Sequence, residues 1–304
     1  MNVTVPRCAV VFKTYGWDRF VERQARRLAH SAEGLDFFIS VDESGGSVGE
    51  IPFERVIRFT CADLAASGLP MRFGVGGTLW WNPDYAHYQF FDQHSNYDNY
   101  LFVEYDCVVQ CSLRQFVSRA VSRGADLVAL PILRAFDKWH WMPYQCEAYS
   151  RREVKLALLN VCLFSSSALK QLQQRRLSMN SNPSSRAWPS GEVFVPTEIV
   201  RAGMQWLSLA EFGDVSRFDW FPPTMEEDLE RSECDAFLHP VLDRQRYVSS
   251  MLHHLGCLPP GELERALSRF RREDYAKFLW PAARERAMRR IRHRLVRWRN
   301  QLGW

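Results

Sequence analysis

In the first half of the chain, short unbroken apolar runs alternate with helical spacings, which predicts strands and helices taken in turn. CAVVF at 8–12 predicts a buried first strand. Over 18–30, DRFVERQARRLAH places Phe20, Val21, Ala25 and Leu28 near one face, the spacing of a helix. LDFFISV at 35–41 predicts a second strand, ended by the turn residues DESGG. ERVIRF at 54–59 alternates and predicts a third strand. A loop and an aromatic helix follow over 68–95, and NYLFVEYDCVV at 99–109 predicts a strand running into an acidic break. SLRQFVSRAVSRG then predicts a helix closed by Gly124, and DLVALP at 126–131 predicts the next strand.

The second half is less regular. VCLFSS at 161–166 predicts another strand, with a helix after it to Arg176. SMNSNPSSRAWPSG at 178–191 is rich in Ser, Asn and Pro and predicts a mobile loop. PTEIVRAGMQ predicts a helix with Pro196 in its first turn, and WLSLAEF at 206–212 a late strand. No internal repeat interrupts this order. The alternation predicts an α/β class with a mostly parallel sheet flanked by helices. It also predicts one domain over 1–250 and a helical appendage over 251–304.

Composition sharpens this picture in three places. The 304 residues, 46% hydrophobic and 24% charged, are ordinary for a globular α/β domain. The eight cysteines are scattered, with no C-x-x-C pair, and read as free thiols rather than a zinc site. The start, MNVTVPRCAVVF, has no charged region before an apolar run, and no apolar stretch is long enough to span a bilayer, so the body is expected to fold in the cytosol. The net charge of +4 is uneven: Arg284 to Arg299 carry +7, which leaves −3 on the rest.

Candidate chemistry centres on Glu104-Tyr105-Asp106 at the end of LFV. Residues two apart in an extended segment point the same way, so Glu104 and Asp106 would present two carboxylates at the carboxyl edge of the sheet. Hard oxygen ligands there suit Mn²⁺ or Mg²⁺, though a pair of solvated strand-end acids gives the same pattern. G-x-G-x-x-G does not follow the first strand, and GVGG at 74–77 lacks a phosphate-loop context. Both absences argue against kinases, P-loop enzymes and dinucleotide dehydrogenases.

The tripeptide and its apolar lead-in resemble the D-x-D or E-x-D motif of GT-A glycosyltransferases. The resemblance extends over residues 5–245: a first strand ending in Lys13-Thr14-Tyr15, a second ending in Asp42-Glu43, the later NVCLFSSSAL unit and a late His239. It implies a GT-A-like (Rossmann-like) fold and transfer of a sugar from a nucleotide diphosphate to a glycan or lipid-linked acceptor, as in bacterial envelope polysaccharide synthesis. Asp106 is then the metal ligand, Glu104 its helper, and His239 completes the shell. Tyr105 faces the nucleotide. Lys13, Thr14 and Asp42, with Glu43 behind them, are the remaining donor-side candidates. An inverting enzyme also needs a carboxylate base, for which Glu192 is the first candidate and Glu198, as a first-turn helix acid, the second. Each of these residues also has a plain structural reading, as a turn acid, a sheet-edge cation or a core histidine.

Two aromatic clusters, at Trp80-Trp81 and at Trp139-His140-Trp141, suit stacking on sugar faces, with Trp81, Trp139 and Trp141 as acceptor-side candidates, though any one of these rings also suits packing in the core or an interface. The tail spaces Met288, Ile291, Leu295, Trp298 and Leu302 at three and four on an Arg-rich helix. That pattern suits peripheral contact with an anionic membrane surface, the alternatives being a helix docked on the body with its Arg face in water and, behind both, nucleic acid. A metal-dependent phosphoesterase would use the same carboxylates but would bring an H-x-D pair, which the sequence lacks. A non-catalytic carbohydrate- or membrane-surface-binding module on the same fold would bind no metal at Asp106.

Overall fold

The computed structural model describes residues 7–70, 78–132, 148–180, 188–231, 235–254, 264 and 268–274. The chain divides into two compact units, residues 1–218 with 233–238, and residues 219–232 with 239–304. The division differs from the sequence reading, whose boundary at 250 falls inside the helix Arg244–His253.

The first unit is built in the order β1 (Cys8–Thr14), α1 (Arg19–Ser31), β2 (Asp36–Asp42), β3 (Val56–Phe59), α2 (Cys61–Ala66), α3 (Thr78–Trp81), α4 (Asp84–Gln93) and β4 (Asn99–Glu104). There follow β5 (Val108–Val109), α5 (Leu113–Ser122), β6 (Leu127–Pro131), β7 (Ala157–Ser165), α6 (Ser166–Asn180), α7 (Gly191–Arg201) and β8 (Trp206–Ser208). Seven strands form one sheet in the order β3-β2-β1-β4-β7-β6-β8. Neighbours run parallel except at β7, which is antiparallel to both β4 and β6.

Alternation along the strands sends side chains to two separate cores. Ala9 and Val11 of β1, Tyr100 and Phe102 of β4, and Cys162 and Phe164 of β7 enter one, with α4, α6 and α7. Val10 and Phe12, Leu101 and Val103, and Val161 and Leu163 enter the other, with α1 and α5. Both faces are covered, so the strands read as unbroken apolar runs. The helices start where their caps allow: Asp18 accepts from the amides of Phe20 and Val21, and Ser112 from that of Gln115.

Four local readings are corrected. The strand expected over 99–109 stops at Glu104, turns through 105–107 with the Cys107 amide donating to the Glu104 carbonyl at 3.0 Å, and resumes as β5. The loop expected over 178–191 is helical to Asn180, and Trp188, Pro189 and Ser190 are buried. The helix expected from Pro196 begins at Gly191, because the buried positions Val193 to Ile199 give it an apolar face to pack. The late strand ends at Ser208, where a 3₁₀ turn capped by Ser208 and Glu211 takes over.

In the second unit, β9 (Thr224–Met225) and β11 (Val241–Leu242) pair in parallel, and α8 (Arg244–His253) is capped by Asp243. The Arg244 guanidinium forks onto the buried Asp274 carboxylate at 2.7–3.1 Å and donates to the Arg269 carbonyl. Among the described residues no helix is long and apolar enough to cross a membrane. The tail stripe, Trp139 and Trp141 lie outside the described residues.

β10 (Phe237–Leu238) returns to the first unit and pairs antiparallel with β5. The Phe237 ring is fully buried and stands edge-on to Phe116 at 5.6 Å. Phe237→Ala is expected to cost about 3–5 kcal/mol in urea unfolding, the range of a large buried aromatic; a loss below about 1 kcal/mol would mean that this return segment is not integral to the core.

Candidate active site

Sheet register brings the first polar side chains together. Lys13 pairs with Glu104 across the parallel β1–β4 ladder. On the other side of β4, Val103 pairs with Val161, so the antiparallel β7 sets Asn160 level with Glu104. Lys13 and Glu104 have the strand parity of Val11 and Phe102, and Asn160 that of Cys162, so all three stand on the face covered by α4 and α7.

The contacts follow from that placement. The Lys13 ammonium donates to Glu104 Oε1 at 3.2 Å, and Asn160 Nδ2 donates to Glu104 Oε2 at 2.7 Å. Lys13 Nζ also lies 3.1 Å from Nε2 of His87, a fully buried residue of α4. An ammonium only donates, so His87 accepts through Nε2 and carries its proton on Nδ1. Burial first, and the Lys13 charge second, hold the His87 imidazole well below its ordinary range, so it stays neutral. Its ring is stacked on Phe102 with centroids 4.1 Å apart.

Glu192 stands in the first turn of α7, on the helix that covers this face, within the electrostatic reach of Glu104. Burial, and after it the charge of Glu104, push its carboxyl up to about 8. It is therefore protonated at neutral pH, and becomes a base only as the pH approaches that value.

The other anticipated residues take several positions. Thr14 is buried and bent back on its own turn, its hydroxyl donating to the Gly16 carbonyl at 2.7 Å. The Tyr105 hydroxyl lies 3.0 Å from that of the exposed Tyr15, with the two rings edge-on. Asp42 accepts from the Ser44 amide at 2.8 Å, and Glu43 holds the Val48 amide and Arg58. Glu198 is not a first-turn acid, because α7 starts at Gly191; it is bound by Arg175 and Arg201 on the helix body. Trp81 is turned inward, buried, with its indole donating to the Trp188 carbonyl at 3.1 Å, while the exposed ring is that of Trp80. Asp106 follows β4 in the turn and is partly buried. His239 belongs to the second unit, where its Nδ1 lies 2.9 Å from the Asp219 carbonyl. Donation from Nδ1 sets the tautomer that leaves the lone pair on Nε2, the form in which imidazole ligates metals.

Sequence reading passed over His87 and Asn160. Asn160 had a signal, one amide in the apolar run LALLNVCLF. His87 sat in an aromatic segment with nothing to separate it from a core histidine.

No protein-family model matches this chain, and no curated protein matches its sequence. Among solved structures it is similar to a glycosyltransferase involved in glycosylation of the major capsid of PBCV-1, at 8% identity over 67% of this chain and 82% of that one, TM-score 0.36. It is similar to galactosyltransferase LgtC in complex with donor and acceptor sugar analogues, at 13% identity over 75% and 79%, TM-score 0.40. It is also similar to apo mouse xyloside xylosyltransferase 1, at 13% identity over 76% and 97%, TM-score 0.42. The fold of this chain is α/β, a mostly parallel seven-stranded sheet with flanking helices.

A raised carboxyl binds its proton more tightly in the folded than in the unfolded chain. Its stabilising contribution is complete below the ordinary 4.5 and is lost as the pH rises through about 8. Glu192→Gln is therefore expected to gain melting temperature over the wild type between about pH 5 and about pH 9, by roughly 3 °C or more. Parallel pH curves would show that Glu192 titrates normally. Glu104→Gln, which removes the second cause, should lower the Glu192 midpoint in a carboxyl ¹³C titration.

Proposed function

We propose that this chain is a glycosyltransferase that uses a nucleotide-diphosphate sugar. One observation carries the reading: Lys13, Glu104 and Asn160 converge on one face of the sheet at the carboxyl end of β1 and β4, immediately before Asp106, with Glu192 within the electrostatic reach of Glu104. That edge is where open α/β sheets take their ligands. A cation held between a carboxylate and a neutral imidazole, with a protonatable carboxyl beside it, provides for a charged leaving group and for a proton.

Roles follow from the contacts. Glu104 has both oxygens engaged, by Lys13 and Asn160, and acts as the anchor of Lys13 rather than as a ligand. A divalent ion, Mn²⁺ or Mg²⁺, would fall to Asp106, a hard oxygen donor in the turn beyond the anchored pair, and would supply Lewis-acid stabilisation of charge on the diphosphate. His239, considered by itself, has the ligand tautomer. Lys13 would meet phosphate oxygens, Tyr15 and Tyr105 offer rings to the donor, and Thr14 and Asp42 shape the turns beside it. Glu192 would take the proton of the acceptor hydroxyl in an inverting reaction. The acceptor is a glycan or a lipid-linked sugar, with Trp80 as its exposed stacking ring. The Arg-rich stripe at 284–304 would meet an anionic lipid surface.

Purified protein is expected to gain thermal stability with one class of nucleotide sugar, more so with Mn²⁺, since ligand at about a hundred times its dissociation constant adds roughly 2.7 kcal/mol. Asp106→Asn should abolish the metal-dependent part. No shift with any nucleotide sugar, from a cooperatively melting sample, would sink the transferase reading. With a donor in hand, kcat/KM is expected to rise with pH towards about 8 and to lose that limb in Glu192→Gln.

A further inference from the structure

A second charged system lies inside the first unit, and the transfer chemistry does not use it. Arg176 of α6 and Asp84 of α4 are both fully buried and paired, with Arg176 Nε 2.8 Å from Asp84 Oδ2 and Nη2 3.3 Å from Oδ1. A buried ion pair is a poor way to add stability, since apolar residues of similar size often do as well or better. Its value lies in direction, and here every direction leads to one stretch of main chain.

Arg176 Nη1 donates to the Pro189 carbonyl at 2.9 Å, and Asn82 Nδ2 donates to the same oxygen at 3.3 Å. The Trp81 indole holds the next carbonyl back, that of Trp188, at 3.1 Å, and the Trp188 indole donates to the Tyr85 hydroxyl at 2.9 Å. Gly191 lies against the acid itself: a Cβ there would come within 2.5 Å of Asp84 Oδ1 and 2.8 Å of Pro83 Cδ. The guanidinium also lies 3.7 Å over the ring of Phe194, on the helix that this stretch begins. Glu192 is the next residue after the clamped segment.

The start of α7 lacks two of the usual supports. Ser190 makes no side-chain cap bond. Pro196 has no amide to give the Glu192 carbonyl, four residues before it. Lacking those bonds, the first turn takes its orientation from what holds the chain just ahead of it.

We propose that the buried Asp84–Arg176 pair is a positioning device for Glu192, clamping the main chain of residues 188–191 and so fixing the first turn of α7 from which Glu192 projects. The proposal rests on the reading of Glu192 as the group that takes the acceptor proton. Asp84, Arg176, Asn82 and Trp81 act through Glu192 as positioning residues.

The test is Arg176→Lys in the full chain, which keeps the charge and most of the volume but loses the planar fork. Crystal structures of wild type and variant are expected to differ in the Glu192 carboxyl by about 1 Å or more, with the rest of α7 in place; a displacement of that size costs on the order of 10²-fold in rate. In transfer assays with the nucleotide sugar found by thermal shift, kcat should fall about tenfold or more while donor KM stays within about twofold. Arg176→Lys should cost nothing further in a Glu192→Gln background. Superimposable Glu192 carboxyls, or an equal kcat loss in both backgrounds, would overturn the proposal. Should Arg176→Lys fail to fold, Trp81→Phe, which removes one indole donor from the same stretch, is read by the same criteria. A wild type that transfers no sugar would remove the transferase reading, and the crystallographic arm would still decide the positioning claim.

Discussion

Backbone register is the constraint on which the candidate site depends. Lys13 and Glu104 are neighbours because β1 and β4 pair in parallel with no offset to spare, and Asn160 joins them because β7 runs the opposite way. A slip of one residue in either ladder would send one of the three to the other face, into the core with α1 and α5. The reversed β7 lies between two strands that run the other way, so it brings the middle of a strand to a level that a parallel strand would reach only at its end. The carboxylate that matters most to the site is thus held by groups chosen by hydrogen bonding elsewhere in the sheet.

Charge is then used in two ways in one unit. At the sheet edge, burial first and a neighbouring charge second keep the His87 imidazole neutral beside Lys13 and raise the Glu192 carboxyl towards its protonated form. Deeper in, Asp84 and Arg176 satisfy each other, and the guanidinium has donors left over for the main chain. The first arrangement shifts where a carboxyl titrates, and the second holds main chain in place.

The alternation of apolar runs and helical faces was enough to read an α/β sheet, and the parity of β1 and β4 was legible in CAVVF and NYLFV. Direction was not. Nothing in LALLNVCLF says that β7 runs antiparallel, since a strand buried on both faces carries no polar edge to orient it. The start of α7 was misread because Ser, Pro and Gly, ordinary loop residues, are here held in place by partners a hundred positions away, such as Trp81 and Asp84. For the site, Glu104 and Glu192 were legible as acids in telling places. That Lys13 and Asn160 both donate to Glu104 was not legible, because only the ladders reveal their approach. Trp81 took the core place that an aromatic segment also allows, with its indole on the Trp188 carbonyl.

The Arg244–Asp274 fork bears on how the chain can be shortened. A cut at residue 250, where the pattern of the sequence invites one, would run through α8 and take away Asp274 and the Arg269 carbonyl, leaving a guanidinium that is now largely enclosed. Phe270 would go with them, and the small cluster around Tyr247 and Met251 would lose one of its walls. Any trimming of the basic tail for expression or crystallisation should therefore stop beyond Asp274, so that solubility is not gained at the expense of the second unit's own core.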